Sequence, residues 1–430
     1  MLNYTNVLKK IESTGNKSWL VGDTVRMLEM GIQPDLITLA IDNKDLYSVA
    51  MALDSSNSFT VDARGPHPAL RGEISGVKFR AFSLRGESIE DDLACRDLSI
   101  EAIAIRSDGG IVDPFGGRFD IRNKVIRLTG DNVGLIKEDP LRILRMLRFA
   151  AELEMDIFWK SSSDVRKFLE SHADTLKDIP AERWGREIIK GISRRPCRFI
   201  EMCNDYGLIP FFLQPLEDLK NISDGAGGNL FDHVLKTLYA IEKRIDTHKI
   251  MQTRAFILAG LFSRIGTDQL SLKMRNKTAD RMVEEILTSW NIPSEVIEEV
   301  LEISRSYRRF YEPMSEELLC REVLEYDATA VEIALEFALC IAQIEGFRPG
   351  YKEALEENHW NLDQVLRRFN AVTLQTEGAD RYLTGREVMS LLNMKPGKRV
   401  GELLNALDMA VGTGKVSSRA RAEEWLKAQI

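Results

Sequence analysis

The stretch from residue 96 to residue 153 constrains this chain more than any other. It reads RDLSIEAIAI, then VDPFGGRFDIRNKVIRLTG, then KEDPLRILRMLRFAAEL. The first part alternates apolar and polar residues, which predicts a half-buried strand, with 100–105 as its centre. Asp113-Pro114 followed by Gly116-Gly117 predicts a turn. The last part predicts a helix opening with Glu138-Asp139 and carrying Arg142, Arg145 and Arg148 three residues apart, near one face. Guanidinium groups are planar, always charged and bidentate, so they suit phosphates and base edges. A strand, a turn and an Arg-lined helix together describe a pocket for a planar, anionic ligand.

The flanking patterns set the fold class. A helix is expected over 1–18, a strand over 18–22 and a helix over 23–30. Strands are expected over 36–41, 59–62 and 77–82, with a helix over 43–53. Mixed elements over the first part of the chain predict an α+β head with one sheet. From residue 135 helical periodicity dominates, predicting an all-α, elongated C-terminal region. A length of 430 residues exceeds one core. The expected division is a head over 1–134, a helical neck over 135–223, a helical body over 224–378 and a helical tail over 379–430. The Gly-rich run at 224–228 and the segment 378–385 mark the last two boundaries.

Cys95, Arg96 and Asp97 open a CRDLSIEA segment, Asp113 opens DPFGG and Glu138 opens EDPLR. In this order and spacing, the motifs resemble those of the tRNA nucleotidyltransferase and poly(A) polymerase family, in its bacterial and eukaryotic class. That family carries an RRDFTINA-like strand, a DPFGG turn and an EDxxR helix. The resemblance covers roughly residues 18–425. It implies a nucleotidyltransferase-like head and assigns recognition of the incoming base to Asp139 and Arg142. Gly22, Arg26, Arg96, Asp97, Glu138, Arg145 and Arg148 complete the implied nucleotide-binding set. A plainer reading of Glu138, Asp139 and Arg142 is helix capping, with acids at the N-terminus and an i,i+4 pair.

The same comparison exposes departures. Nucleotidyl transfer usually needs two metal ions about 3.5–4 Å apart, held by carboxylates. The family places two of these in a D-x-D on one strand and a third on a neighbouring strand. In PDLITLA, from Pro34, one register sets Asp35 and Ile37 at the paired positions and the other sets Leu36 and Thr38. In GVKFRAF, from Gly76, Lys78 or Phe79 stands where an acid is required. Only Asp35 remains as a remnant of the set, and no metal ligands are expected. The family's Gly-Gly turn within LVGG-x-VRD reads LVGDTVRM here, so Asp23 puts negative charge in a phosphate-binding turn. Its flexible loop is reduced to 83–95, and its RRDFTINA asparagine is Glu101.

A second resemblance follows the same pattern. NLFDHVL, from Asn229, is similar to the first His segment of HD-type metal phosphohydrolase domains, but Ser263-Arg264 stands in place of the following His-Asp. His233 is therefore expected to be structural. Nearer the C-terminus, YLTGRE and MKPGKRVG resemble family segments and offer Lys395, Lys398 and Arg399 for RNA phosphates. Five scattered cysteines, 95, 197, 203, 320 and 340, predict reduced thiols. With no long apolar run and no signal-peptide core, a cytoplasmic protein is expected. The net charge of −8 lends RNA binding no support, although local basic faces matter more than the total.

The resulting expectation is a degenerate family member. It binds a nucleoside triphosphate and RNA, such as a tRNA 3′ end, with metal-dependent transfer lost or impaired and an active paralogue among its candidate partners. The first alternative is an active enzyme adding CMP or AMP with Mg²⁺, ATP and CTP, using displaced acids among Asp35, Glu73, Glu87 and Asp91. The second is a protein–protein scaffold.

Overall fold

The computed structural model describes residues 2–429 apart from 54–58, 64–67, 131, 225–226, 248–253, 267–276, 346–349 and 377–379. Gly225, Gly378 and the family-like segment 270–275 lie outside the described residues. Two compact units emerge, one formed by 1–191 with 201–211, the other by 192–200 with 212–430.

The first unit is built on a seven-stranded mixed sheet. Its strands are β1 (Ser18–Val21), β2 (Leu36–Ile41), β3 (Thr60–Asp62), β4 (Ala69–Ile74), β5 (Val77–Ser83), β6 (Ala104–Ile105) and β7 (Ile111–Val112). Their order is β3-β4-β5-β2-β1-β6-β7. Only β2 and β5 run parallel, in the register Leu36↔Lys78, Thr38↔Arg80, Ala40↔Phe82. Alternation then divides the residues between two faces. Ile37, Leu39, Ile41, Phe79 and Ala81 are all but fully buried on one face. The opposite face carries Leu36, Thr38, Lys78 and Arg80. Further along, it carries a small apolar cluster of Trp19, Val21, Ala40, Leu84, Ile89, Leu93, Ala102 and Ala104.

The α+β head followed by a helical region matches the expected fold class. Several local readings need correction. The leading helix spans Leu2–Glu12 rather than 1–18. The next-but-one helix begins at Leu46 rather than Asn43, because the Asn43 and Asp45 side chains accept backbone N–H groups in successive turns ahead of it. β4 was not anticipated, since ALRGEI lacks β-branched density and is paired on both sides by its neighbours.

The expected strand over 100–105 is mostly not a strand. Ser99–Glu101 is a 3₁₀ turn, and only Ala104–Ile105 pairs in the sheet. Burial explains the misleading alternation: Leu98, Ile100, Ala102, Ile103 and Ala104 are all fully buried, so period two does not describe this segment. The segment instead ties backwards, with Ser99 N–H donating to Arg127 O and Thr129 N–H to Asp97 O.

The helix expected to open at Glu138-Asp139 begins later, at Leu141, and runs to Glu152. Glu138 closes the preceding helix, Asn132–Glu138, and Asp139-Pro140 forms the joint between them. Pro140 has no N–H to donate, which is tolerated at a helix start and breaks a helix interior.

Among its described residues the second unit contains helices and no strand of the sheet, with Leu230–Thr247 and Arg419–Lys427 among its helices. Around Ser223↔Asn229 the chain pairs with itself, and the Asp224 carboxylate accepts the Gly228 N–H at 2.9 Å. Helix Gly385–Leu392 opens on a capping box in which Thr384 and Glu387 each accept the other's backbone N–H. The Thr384 backbone N–H, then Arg419, hold the Glu387 carboxyl down at about 2. Among the described residues no helix is long and apolar enough to cross a membrane. Four cysteines are buried and Cys95 is exposed, all of them free thiols.

Candidate nucleotide site

The site is assembled on the Thr38 face of the sheet from loops and helix starts. The first is the turn between β1 and the helix Asp23–Glu29. Gly22 there has φ +63°, and a Cβ on it would stand 2.8 Å from an Arg96 nitrogen and 3.4 Å from Glu101. Glycine is therefore needed twice, for its backbone angle and for the close approach of two charged side chains. The turn is stitched to β2 by the buried Thr24 hydroxyl, which accepts the Thr38 N–H at 2.7 Å.

Arg26 and Arg96, both expected here, are brought together, but each has a protein partner. Arg26 Nε donates to Glu101 at 2.5 Å, and its guanidinium lies 5.2 Å from the Phe149 ring centre. Burial pushes the Glu101 carboxyl up, against the pull of Arg26. Arg96 reaches back to Asp92 at 2.7 Å, and Arg85 meets the same carboxylate at 3.2 Å. Burial works to raise the Asp92 carboxyl, yet the charges of Arg96 and Arg85 hold it below its ordinary value.

The second half of the site is the Arg-rich helix. Asp97 receives Arg145 at 2.5 Å and Arg142 at 3.3 Å. Asp139 receives Arg145 at 2.8 Å and Arg183 at 3.0 Å, and it also accepts the Leu141 N–H at 3.3 Å. Desolvation opposes ionisation of Asp139, but Arg145 and then Arg183 outweigh it and lower its pKa. The chain Asp97–Arg145–Asp139–Arg183 therefore fixes the helix start. Glu138 is peripheral, exposed and 3.9 Å from Arg142. Arg148 lies 4.2 Å over the same Phe149 ring that Arg26 meets, and pairs with Glu187 at 3.5 Å.

These lowered carboxylates set a pH dependence. Asp92 and Asp139 contribute stability that is fully present above the ordinary Asp value and is lost as pH falls through their lower folded values. The stability gap between wild type and Asp92→Asn is therefore expected to be constant near neutrality and to close below about pH 4. Urea midpoints measured from pH 7 to pH 3 check this; a gap that widens in acid would contradict it.

The metal set is a different matter. Asp35 sits on an exposed bend ahead of β2. Thr38 is buried, and its hydroxyl accepts Arg80 Nε at 2.9 Å, while Arg80 Nη2 reaches Asp23 at 2.7 Å. A guanidinium thus occupies the neighbouring-strand position opposite Thr38. Of the other acids considered, Glu73 lies opposite Lys78 on β4 and Asp91 caps the helix Ile89–Ala94. Glu87 is exposed in the turn before that helix. Among the described residues no group of three or more His, Cys, Asp or Glu side chains is placed to hold a metal ion. The residues present do not fit Mg²⁺. Arg80 and Arg183 are the site residues that the sequence reading missed. Arg80 was accessible as the alternate residue to Lys78 on one strand; Arg183 stands at a helix start after Pro180 that resembles a family segment, but nothing local tied it to Asp139.

Residues 17–127 match the poly(A) polymerase head domain family. The CCA-adding enzyme of Ligilactobacillus salivarius is 24% identical over 95% of this chain and 92% of its own. The CC-adding tRNA nucleotidyltransferase of Geobacter sulfurreducens is 26% identical over 96% of this chain and 92% of its own. Residues 17–127 thus carry the poly(A) polymerase head domain, and the chain along its length is similar to tRNA nucleotidyltransferases. The fold agrees: the Bacillus stearothermophilus CCA-adding enzyme solved with CTP superposes with a TM-score of 0.62 at 21% identity, covering 99% of this chain and 96% of that one.

Elsewhere in the chain, His233 is buried against Arg264, whose nitrogens lie 2.7 Å from Nε2 and 3.3 Å from Nδ1. The Arg264 guanidinium thus faces both ring nitrogens of His233. Lys395, Lys398 and Arg399 are exposed around the start of the helix Lys398–Gly412, where Arg399 lies 3.3 Å and Lys398 3.9 Å from Glu402.

Proposed function

We propose that this chain binds a nucleoside triphosphate and an RNA 3′ end such as that of tRNA, and that its metal-dependent nucleotidyl transfer is lost or severely impaired. The base-facing role falls to Asp139 and Arg142, the phosphate-facing role to Gly22, Arg26 and Arg96, and an RNA-contacting role to Lys395, Lys398 and Arg399. One observation carries the catalytic part. The strand positions expected to hold carboxylates present Leu36, Thr38 and Lys78, with the Arg80 guanidinium in hydrogen-bond contact with Thr38. Cations at that place repel a second cation, and without a metal the attacking hydroxyl and the triphosphate lose several kcal/mol of stabilisation.

The test is incubation with tRNA lacking its 3′ CCA, labelled CTP or ATP, and Mg²⁺ or Mn²⁺. Nucleotide addition is expected at least about 10³-fold below that of an active relative run in parallel, the equivalent of about 4 kcal/mol in the barrier. Rapid addition would sink the reading. The relatives' names favour a second reading, an active transferase with displaced acids; in that case Asp35→Ala abolishes the addition.

A further inference from the structure

The Thr38 face carries three cationic side chains, Arg71, Lys78 and Arg80, each set beside an acid. The antiparallel register of β4 and β5 sets Arg71 directly opposite Arg80 and Glu73 opposite Lys78. All four side chains share the face that presents Thr38. Like charges directly opposite each other on neighbouring strands destabilise a sheet unless an anion lies between or beside them. In this chain each guanidinium has one: Arg71 lies 3.4 Å from Asp62, and Arg80 lies 2.7 Å from Asp23. Asp23 stands in the turn where the family resemblance expects glycine facing phosphate. Both members of the Arg80–Asp23 pair keep about a third of their side-chain surface exposed, so solvent and solutes reach the pair. Thr38, which Arg80 holds, also lines a cavity of about 510 Å³ whose charged lining is Lys44, Asp45, Arg85, Asp92 and Arg96; Arg80 itself does not line it.

We propose that Arg80, with Lys78 and Arg71, is the anchor of a polyphosphate site that works without a divalent cation. Asp23 is its built-in competitor, filling the anion position until a ligand displaces it. This deepens the nucleotide-binding reading and rests on it for the identity of the polyphosphate. The physical logic is charge substitution. In the expected family arrangement carboxylates hold a cation, and the cation holds phosphate. Here the side chains are themselves cations, and the intermediary is unnecessary. A guanidinium holds two phosphate oxygens in a bidentate fork, as it now holds Asp23 and Thr38. Mg²⁺ bound to the polyphosphate then competes with Arg80 for the same oxygens, reversing the usual metal dependence.

The experiment is calorimetric titration of the full chain with ATP and, separately, with inorganic tripolyphosphate, each in EDTA and in excess Mg²⁺. Wild type, Asp23→Asn, Arg80→Ala and the double variant are compared, with circular dichroism confirming that each is folded. Wild type is expected to bind at least as tightly in EDTA as in Mg²⁺. Asp23→Asn, which keeps the shape and removes the charge, is expected to tighten binding about tenfold, and Arg80→Ala to weaken it about tenfold. The gain from Asp23→Asn should vanish in the double variant, because the competitor acts only through Arg80. Binding that requires Mg²⁺, or an Asp23→Asn variant no tighter than wild type, would overturn the proposal. So would a chain that binds neither ligand. If tripolyphosphate follows the expected pattern while ATP binds no better than it does, the anion site stands and the nucleotide reading falls.

Discussion

Gly117→Ala is expected to cost the first unit about 3 kcal/mol or more, one of the largest single-residue effects available in this chain. An added Cβ would stand 2.1 Å from the Ser99 carbonyl oxygen and 2.8 Å from Ile103. The obstructing atom is backbone, so it cannot rotate away. Its own segment is held by the Ser99 N–H bond to Arg127 and by the Ser99 hydroxyl bond to buried Asp120. On the other side, the Gly117 N–H is already pinned, donating to the Asp113 carboxylate at 2.7 Å. Both surfaces are fixed, and overpacking must be relieved by moving one of them. The neighbouring Gly116→Ala makes the control. Gly116 has φ +70° and open space around its Cβ position, so only the left-handed backbone penalty applies, about 1 kcal/mol. Urea denaturation separates the two when followed by the fluorescence of Trp19, Trp159 and Trp184 of the first unit, in a background where Trp290, Trp360 and Trp425 of the second are replaced by Phe. Equal costs for the two alanines would show that the contact with Ser99 is not what demands glycine at 117.

Asp97→Ala should be nearly as damaging, at about 2–3 kcal/mol, for an electrostatic reason. Asp97 is the carboxylate nearest to Arg142, whose side chain is only 11% exposed, and it shares Arg145 with Asp139. Removing one partner of a buried pair leaves the other charge desolvated without compensation, typically at 3–5 kcal/mol. Arg145 keeps Asp139, which trims the expectation. Arg142 is left with Glu138 at 3.9 Å, too distant and too exposed to replace the lost carboxylate. Glu138→Ala is the matched control, expected within about 0.5 kcal/mol of wild type. Were Asp97→Ala to cost no more than Glu138→Ala, the ion-pair chain would not be what orders the helix start. The same substitution bears on nucleotide binding, because it releases the guanidinium to which the base-facing role is assigned.

The sequence by itself determined the family resemblance, the α+β head with its helical continuation, and the residues of the Arg-rich helix. Each of these rests on short-range chemistry. DPFGG is a turn because Asp113 accepts the Gly117 and Arg118 N–H groups four and five residues on, a geometry that neighbouring residues supply unaided. Gly22, Arg26, Arg96, Asp97, Asp139, Arg142 and Arg145 were nameable because their motifs are local strings. Even so, local pattern misread residues 100–105, where burial from every side erased the alternation that marks a half-exposed strand, and it carried the Arg helix back over Asp139-Pro140, where proline breaks it.

Only the tertiary structure decided what those residues face. Arg80 meets Thr38 across 42 residues of chain, through a parallel register that nothing near either residue encodes. A one-residue slip of β5 would have put Phe79 on the Thr38 face and buried Arg80, and the apolar core on the other side forbids it. The partnership of Asp139 with Arg183 spans 44 residues and is likewise a product of packing. Charge identity is written in the chain; charge pairing is settled by which faces the core leaves to solvent.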